Sequence, residues 1–220
     1  MSYRLGQMQT KTIALFLHQP KCSIESGNGI ITALHPHYKF KIFSKNLVED
    51  NFFDDVDCVA FPGGIGDADT WEYLAKANLK HVRNYVRNGG RYLGICMGAY
   101  WAGDDYFKLL DNVKVEQYIK RPNTDTKRPH AKAMPVIWQG KQEKMFFFDG
   151  CAFEGEYDTI ATYPNGDAMA IIQNRIGLIG CHPESEPNWY NYHSWMKNHY
   201  HHGHHHKLLL EFVNKLMEQK

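Results

Sequence analysis

A rhythm in the first hundred residues constrains this chain more than any other feature. Short apolar runs, rich in β-branched and aromatic residues, alternate with stretches of helical spacing. "TIALFL" (12–17) is such a run and reads as a buried strand. Pro20 breaks it, and Ser23 is placed to cap a helix over Ile24 to Leu34. "YKFKIF" (38–43) alternates, as a strand with one exposed face does, and "VDCVAF" (56–61) is a third strand closed by "PGGIGDAD". Asp69 and Glu72 have capping-box spacing. The helix they open carries Leu74, Leu79, Val82 and Val86 until "NGG" (88–90) ends it, and "RYLGI" (91–95) is the next strand. Strands separated by helices join through right-handed crossovers, which predicts a mostly parallel central sheet flanked by helices.

The second half changes character. "AKAMPVIW", "KMFFFD", "DTIATY", "DAMAIIQ" and "IGLIG" are all strand-like with short links. The two-residue link Asn174-Arg175 predicts an antiparallel hairpin. The parallel core therefore gains an antiparallel extension. From about 187 to 220 the pattern is one or two closing helices, interrupted near Gly203. With neither repeat nor linker, residues 1–220 read as a single α/β domain, a length that supports one sizeable core.

Composition narrows the function classes. Twenty-five basic residues against 24 acidic give a net charge of +1 with no block of like charge, which argues against nucleic acid as a partner. The apolar run Ile13–Leu17 is too short for a secretory core or a membrane span, so a cytoplasmic protein without membrane contact is expected. The five cysteines, 22, 58, 96, 151 and 181, are odd in number and form no CxxC pair. Reduced thiols fit better than disulfides or a cysteine zinc site.

Cys96 stands in "YLGICMGAY", straight after a strand and between Gly94 and Gly98. A residue in a sharp strand-to-helix turn is strained, often with φ above zero, and its surroundings must be small. G-x-C-x-G is therefore the pattern of a nucleophile elbow with cysteine in the serine's place. The helix that follows, through Ala102, aims its amides at the sulfur and favours the thiolate. The plainer reading is a buried strand end with an inert thiol. A thiolate nucleophile needs a base, and "IGLIGCHPES" offers His182 at the end of another strand, with Glu184 two residues on to orient it.

"GICMG" with a late "HPE" resembles the class I glutamine amidotransferase-like superfamily, a flavodoxin-like fold, from "TIALFL" to "HPE". The resemblance implies Cys96 as nucleophile, His182 as base and Glu184 as third member. "FPGGIGDADTW" is similar to that superfamily's oxyanion loop, which implies the Gly64 amide as donor beside that of Met97, with Gly63 against the substrate. Within the superfamily, "FPGG", "VRNYVRNGGRYLGICMGAYWA" and the pair Cys22-Ser23 resemble the N-terminal domain of eukaryotic biotin-protein ligases. Cys22 and Ser23 then become substrate-side candidates; a plain loop thiol is the alternative for Cys22. The chain has no G-R-G-R stretch and should not itself join biotin to lysine. Class I enzymes carry glutamine where this chain has Tyr100. A phenol there would fill substrate room, so a small-molecule or peptide amide is expected, with free glutamine a poor substrate. Any released ammonia implies a partner protein; a homodimer is also compatible.

Two other readings use the same fold. PfpI-type thiol proteins (peptidases, glyoxalases, redox sensors) usually hold a carboxylate near the end of the first strand, where this chain has His18-Gln19. A catalytically silent regulatory domain that kept the elbow is the other. The imidazoles of "HYHHGHHHK", His201, His202, His204, His205 and His206, have a metal binder's composition without ligand spacing. No metal and no cofactor are expected. Cys58 reads as core, and Trp189, Tyr190, Tyr192 and Trp195 as helix packing.

Overall fold

The computed structural model describes residues 9–18, 23–46, 49–64 and 68–220. Its first half runs β1 (Thr12–Phe16), α1 (Ile24–Leu34), β2 (Lys39–Phe43), β3 (Cys58–Phe61), α2 (Ala68–Leu74), α3 (Leu79–Arg87), β4 (Arg91–Ile95) and α4 (Met97–Tyr100). The second half adds β5 (Lys114–Gln117), β6 (Lys132–Trp138), β7 (Lys141–Phe147), β8 (Cys151–Glu154), β9 (Asp158–Thr162), β10 (Ala168–Gln173), β11 (Ile176–Ile179) and α5 (His204–Met217). Four short 3-10 segments lie at 76–78, 118–120, 187–191 and 194–199.

The strands form one mixed sheet in the order β2-β1-β3-β4-β11-β10-β9-β6-β7, with β8 pairing β10 and β5. β2, β1, β3, β4 and β11 are parallel. The remaining pairs are antiparallel. β3 and β11 are buried along their whole length, as continuous apolar runs require when helices cover both faces. Alternate residues serve opposite faces. Ile13 and Leu15 pack with Ile30, Leu34, Leu209 and Phe212 from α1 and α5. Ala14 and Phe16 pack with Trp71, Leu74, Val82 and Trp101 around α2, α3 and α4.

Local chemistry explains the element ends. Ser23 caps α1, its hydroxyl accepting from the Ser26 amide at 3.1 Å. The β10–β11 hairpin closes on Asn174, which supplies a φ of +53° in glycine's place. β6 alternates buried Met134, Val136 and Trp138 with exposed Pro135 and Ile137.

Three expectations are corrected, and two strands are added. The helix opened by Asp69 and Glu72 is two, α2 and α3, broken at Lys76–Asn78, where Asn78 is a residue type that favours caps over helix interiors. The helix after Cys96 stops at Tyr100, within one turn. β5 and β8 were not legible: each has four residues, and charged Lys114 and Glu116 make β5 a polar strand that pairs only β8. The aromatic cluster after 187 sits in 3-10 turns rather than helices, with Trp189 and Tyr190 buried but Tyr192 and Trp195 exposed. No described helix is long and apolar enough to cross a membrane.

Candidate active site

Cys96 follows β4 and takes φ +50° and ψ −103° before α4 begins. A non-glycine residue so placed stores roughly 1–3 kcal/mol of strain and persists only where its surroundings fix it. Here the Cys96 amide donates to the Ile179 carbonyl at 2.8 Å, and the Cys96 carbonyl accepts from the Ala99 and Tyr100 amides at 3.0 Å each. The glycines serve this turn differently from the expectation. A Cβ on Gly94 would lie 2.6 Å from the Gly98 carbonyl carbon, and one on Gly98 would lie 2.8 Å from Phe61 Cβ. They let the turn fold back onto β4 and β3 rather than clearing room beside the sulfur.

The strand beside β4 supplies the base. His182 follows β11, its amide donating to the Phe146 carbonyl at 2.8 Å in an isolated bridge to the end of β7. Its Nδ1 lies 2.7 Å from Glu184 Oε1, and its ring lines one cleft with Cys96, whose sulfur acts on it electrostatically. With Nδ1 facing the carboxylate, Nε2 is the nitrogen left for the sulfur. Gly63 lies close against the ring, since a Cβ there would sit 2.7 Å from His182 Cε1. Burial pulls the imidazole towards its neutral form, but the Glu184 carboxylate and the Cys96 sulfur outweigh it and raise its pKa to about 10. An imidazolium beside a sulfur suits a thiolate nucleophile. The dipole of a one-turn α4 adds little.

Glu184 is wholly buried. Its Oε1 also accepts from Ser26 Oγ at 2.8 Å, and Ser26 Oγ accepts from the Gly63 amide at 2.9 Å. Ser26 thus ties the first turn of α1 and the glycine loop to the carboxylate. The main chain behind Glu184 is held by the histidine run. His201 Nε2 lies 2.8 Å from the Ser185 carbonyl, and His206 Nε2 lies 3.2 Å and 3.1 Å from the carbonyls of Glu184 and Ser185. His204 and His205 both meet Glu143, at 2.8 Å and 3.0 Å. Among the described residues no group of three or more His, Cys, Asp and Glu is arranged to hold a metal ion.

A cleft of about 600 Å³ opens over this group. Ser23, Gly63 and Gly64 line it with Cys96, His182 and the aromatic side chains Phe146, Phe148 and Trp189. Of the candidates read from sequence, Cys96, His182 and Glu184 meet, Ser23, Gly63 and Gly64 line the cleft, and Met97 is the first residue of α4. Cys22 lies outside the described residues. Tyr100 is a correction: it is not among the cleft's lining, and its hydroxyl donates to the Asp149 carbonyl at 2.8 Å. Burial pushes its phenol well up. Rather than filling substrate room, it ties α4 to the turn after β7. Phe148, in that turn, receives the Cys96 Sγ contact on its carbonyl at 3.5 Å. The buried thiols Cys58, Cys151 and Cys181 are all pushed up, chiefly by burial.

Sequence reading missed Ser26 and Phe148. A serine on the buried face of α1, beside Ile30 and Leu34, was the available signal for the first. Nothing in "FFF" says which ring faces out.

The fold is that of the glutamine amidotransferases. A glutamine amidotransferase from Thermotoga maritima superposes with a TM-score of 0.66 at 10% identity, covering 96% of this chain and 100% of that one. PurLQS from the same organism matches at 0.64 and 11% identity, covering 94% and 100%. A Thermoplasma acidophilum protein described as a GMP synthase subunit matches at 0.62 and 14%, covering 96% of each chain. Residues 19–121 match the family model described as biotin-protein ligase, N terminal, a span that holds the elbow and stops short of His182. The chain is thus amidotransferase-like in fold, and this part of it is similar to the biotin-protein ligase N-terminal domain. A search of curated proteins by sequence returns no match.

Proposed function

We propose that the protein is a cysteine hydrolase or acyl-transfer enzyme acting on an amide or a related carbonyl. One observation carries this reading: a strained Cys96 lines the same cleft as a His182 whose Nδ1 lies 2.7 Å from a buried carboxylate. Nucleophile, base and orienting group stand in the order that acyl transfer needs. Cys96 Sγ attacks the carbonyl carbon, and the C=O electrons move onto oxygen. The backbone amides of Gly64 and Met97 are the donors assigned to that oxyanion. When the tetrahedral adduct collapses, the C–N bond breaks and His182 gives its proton to the departing amine, leaving a thioester on Cys96. Water then gives a proton to His182 and adds to the thioester; the acid departs and the thiolate returns. Amide plus water yields acid plus amine. Glu184 holds the imidazole in place throughout and stabilises its charged form. Another acceptor in water's place gives acyl transfer. The fold relative described as a GMP synthase subunit supports work beside a partner protein that uses the released amine.

The test is thiol labelling with iodoacetamide, read by peptide mass spectrometry. Cys96, in the cleft, is expected to label ahead of Cys22, Cys58, Cys151 and Cys181, the last three being wholly buried. A screen of amide donors comparing wild type with Cys96→Ala then reads the chemistry. Labelling of Cys22 or Cys181 ahead of Cys96, or equal turnover by the two proteins, sinks the proposal.

A further inference from the structure

The cleft over Cys96 is chemically lopsided. Four of its lining side chains are aromatic, Phe146, Phe148, Trp189 and Tyr192. The His182 ring meets Phe146 at 5.9 Å and Trp189 at 5.4 Å, both edge-on. Beyond them Phe148 and Tyr192 line the opening with 52% and 72% of their surfaces exposed. Large aromatic side chains left bare inside a concave site signify a partner that covers them. Neutral amides of Asn188 and Asn191 stand beside them. Apart from His182 and Cys96, the ionisable side chain among the described lining residues is Glu25, a carboxyl that accepts from Ser23 Oγ at 3.3 Å. Behind His182 lies a second carboxylate, Glu184. A ligand carboxylate placed beside Glu25 is repelled by it; a neutral or cationic ligand is not.

We propose that this cleft takes an aryl-bearing amide, uncharged or positively charged, with its ring laid on Phe148 and Tyr192 and its carbonyl over Cys96, rather than a free amino acid with its carboxylate. Naming the ligand an amide rests on the hydrolase reading; the aromatic and charge preferences rest on the walls alone. Free glutamine is then disfavoured by Glu25 and by an unfilled aromatic wall, not by Tyr100.

The experiment separates binding from chemistry. Cys96→Ala protein, which cannot turn over, is titrated by calorimetry with N-acetylphenylalaninamide, phenylalaninamide, N-acetylphenylalanine and glutamine. The two aryl amides are expected to bind, with N-acetylphenylalanine and glutamine at least about tenfold weaker. Adding Phe148→Ala and Tyr192→Ala should weaken the aryl amides about tenfold, the loss of two aromatic contacts. Tyr192→Ser alone, at the more exposed ring, reads the same wall should the double change unsettle the fold. Glu25→Gln should bring N-acetylphenylalanine towards the amide. Equal binding of carboxylate and amide, or aryl binding indifferent to both rings, overturns the proposal. Binding as described without turnover by wild type leaves this inference standing and removes the hydrolase reading. Turnover of amides with no aryl preference does the reverse.

Discussion

At the residue scale the account turns on how tightly Cys96, His182 and Glu184 are fixed. Ser26 is the fastening that pattern reading did not supply. Ser26→Ala removes a buried hydrogen bond to a carboxylate and leaves the Gly63 amide without its acceptor. A loss of about 1.5–3 kcal/mol is expected in urea unfolding, the scale for a bond to a charged group. No measurable loss would show that Glu184 is held without it. His182 gives a pH signature. Its pKa is raised from 6.5 to about 10, so its contribution is fully present below pH 6.5 and is lost as pH rises through 10. Stability should therefore fall between those values as pH climbs, and Glu184→Gln, which removes the partner that raises it, should flatten that fall. The candidates Cys96, His182, Glu184 and Gly63 were legible because they stand in short motifs, G-x-C-x-G, H-P-E and F-P-G-G. Ser26 was not, because its partner lies 158 residues away.

At the element scale the histidine run changes meaning. Its composition suggested loose metal binding; its hydrogen bonds make it the joint between α5 and the loop of Glu184. His201 Nδ1 accepts from the Gly203 and His205 amides at 3.1 Å and 3.3 Å, so it caps α5 while its Nε2 donates to Ser185. That tautomer is neutral, and burial, with His205, His206 and His204 nearby, holds its pKa down at about 3 despite the Ser185 carbonyl. Tyr190 and Tyr200 pack on the ring, and Glu143 stands behind His205. The unfolded chain takes up a proton near pH 6.5 that the folded one refuses, so stability is present above pH 6.5 and drains away as pH falls towards 3. His201→Ala should cost about 1 kcal/mol at neutral pH through the lost cap and should shrink that acid loss, both read from unfolding curves across pH. An acid limb unchanged in the variant would contradict the assignment. Chelation followed by dialysis should leave the melting temperature where it was; a large drop would make the run a metal site after all. These partners were illegible because spacing within the run shows nothing of Glu143, 61 residues before His204.

At the scale of the whole molecule, the parallel half of the sheet does the positioning. The carboxyl ends of β3, β4 and β11 sit side by side, and Gly63, Cys96 and His182 follow within three residues of them. That convergence was readable because apolar strands and helical periods alternate cleanly up to residue 95. The antiparallel half was readable as strands but not as a wall of the site, since pairing order is not written in local pattern. The end of β7 brings Phe146 and Phe148 to the cleft through its bridge to His182. Free glutamine should release ammonia far more slowly than an aryl amide; a coupled ammonia assay reads this, and brisk release abolished in Cys96→Ala would return the protein to the glutaminases. The central claim, that Cys96 is a nucleophile driven by His182, is met most directly by acylating it. Wild type, Cys96→Ala and His182→Ala are mixed with p-nitrophenyl acetate and followed by time-resolved peptide mass spectrometry. The account predicts acetyl first on Cys96, absent from that site in Cys96→Ala, and formed about a hundredfold or more slowly in His182→Ala. No acetyl on Cys96, or acetylation at an unchanged rate without His182, would contradict it.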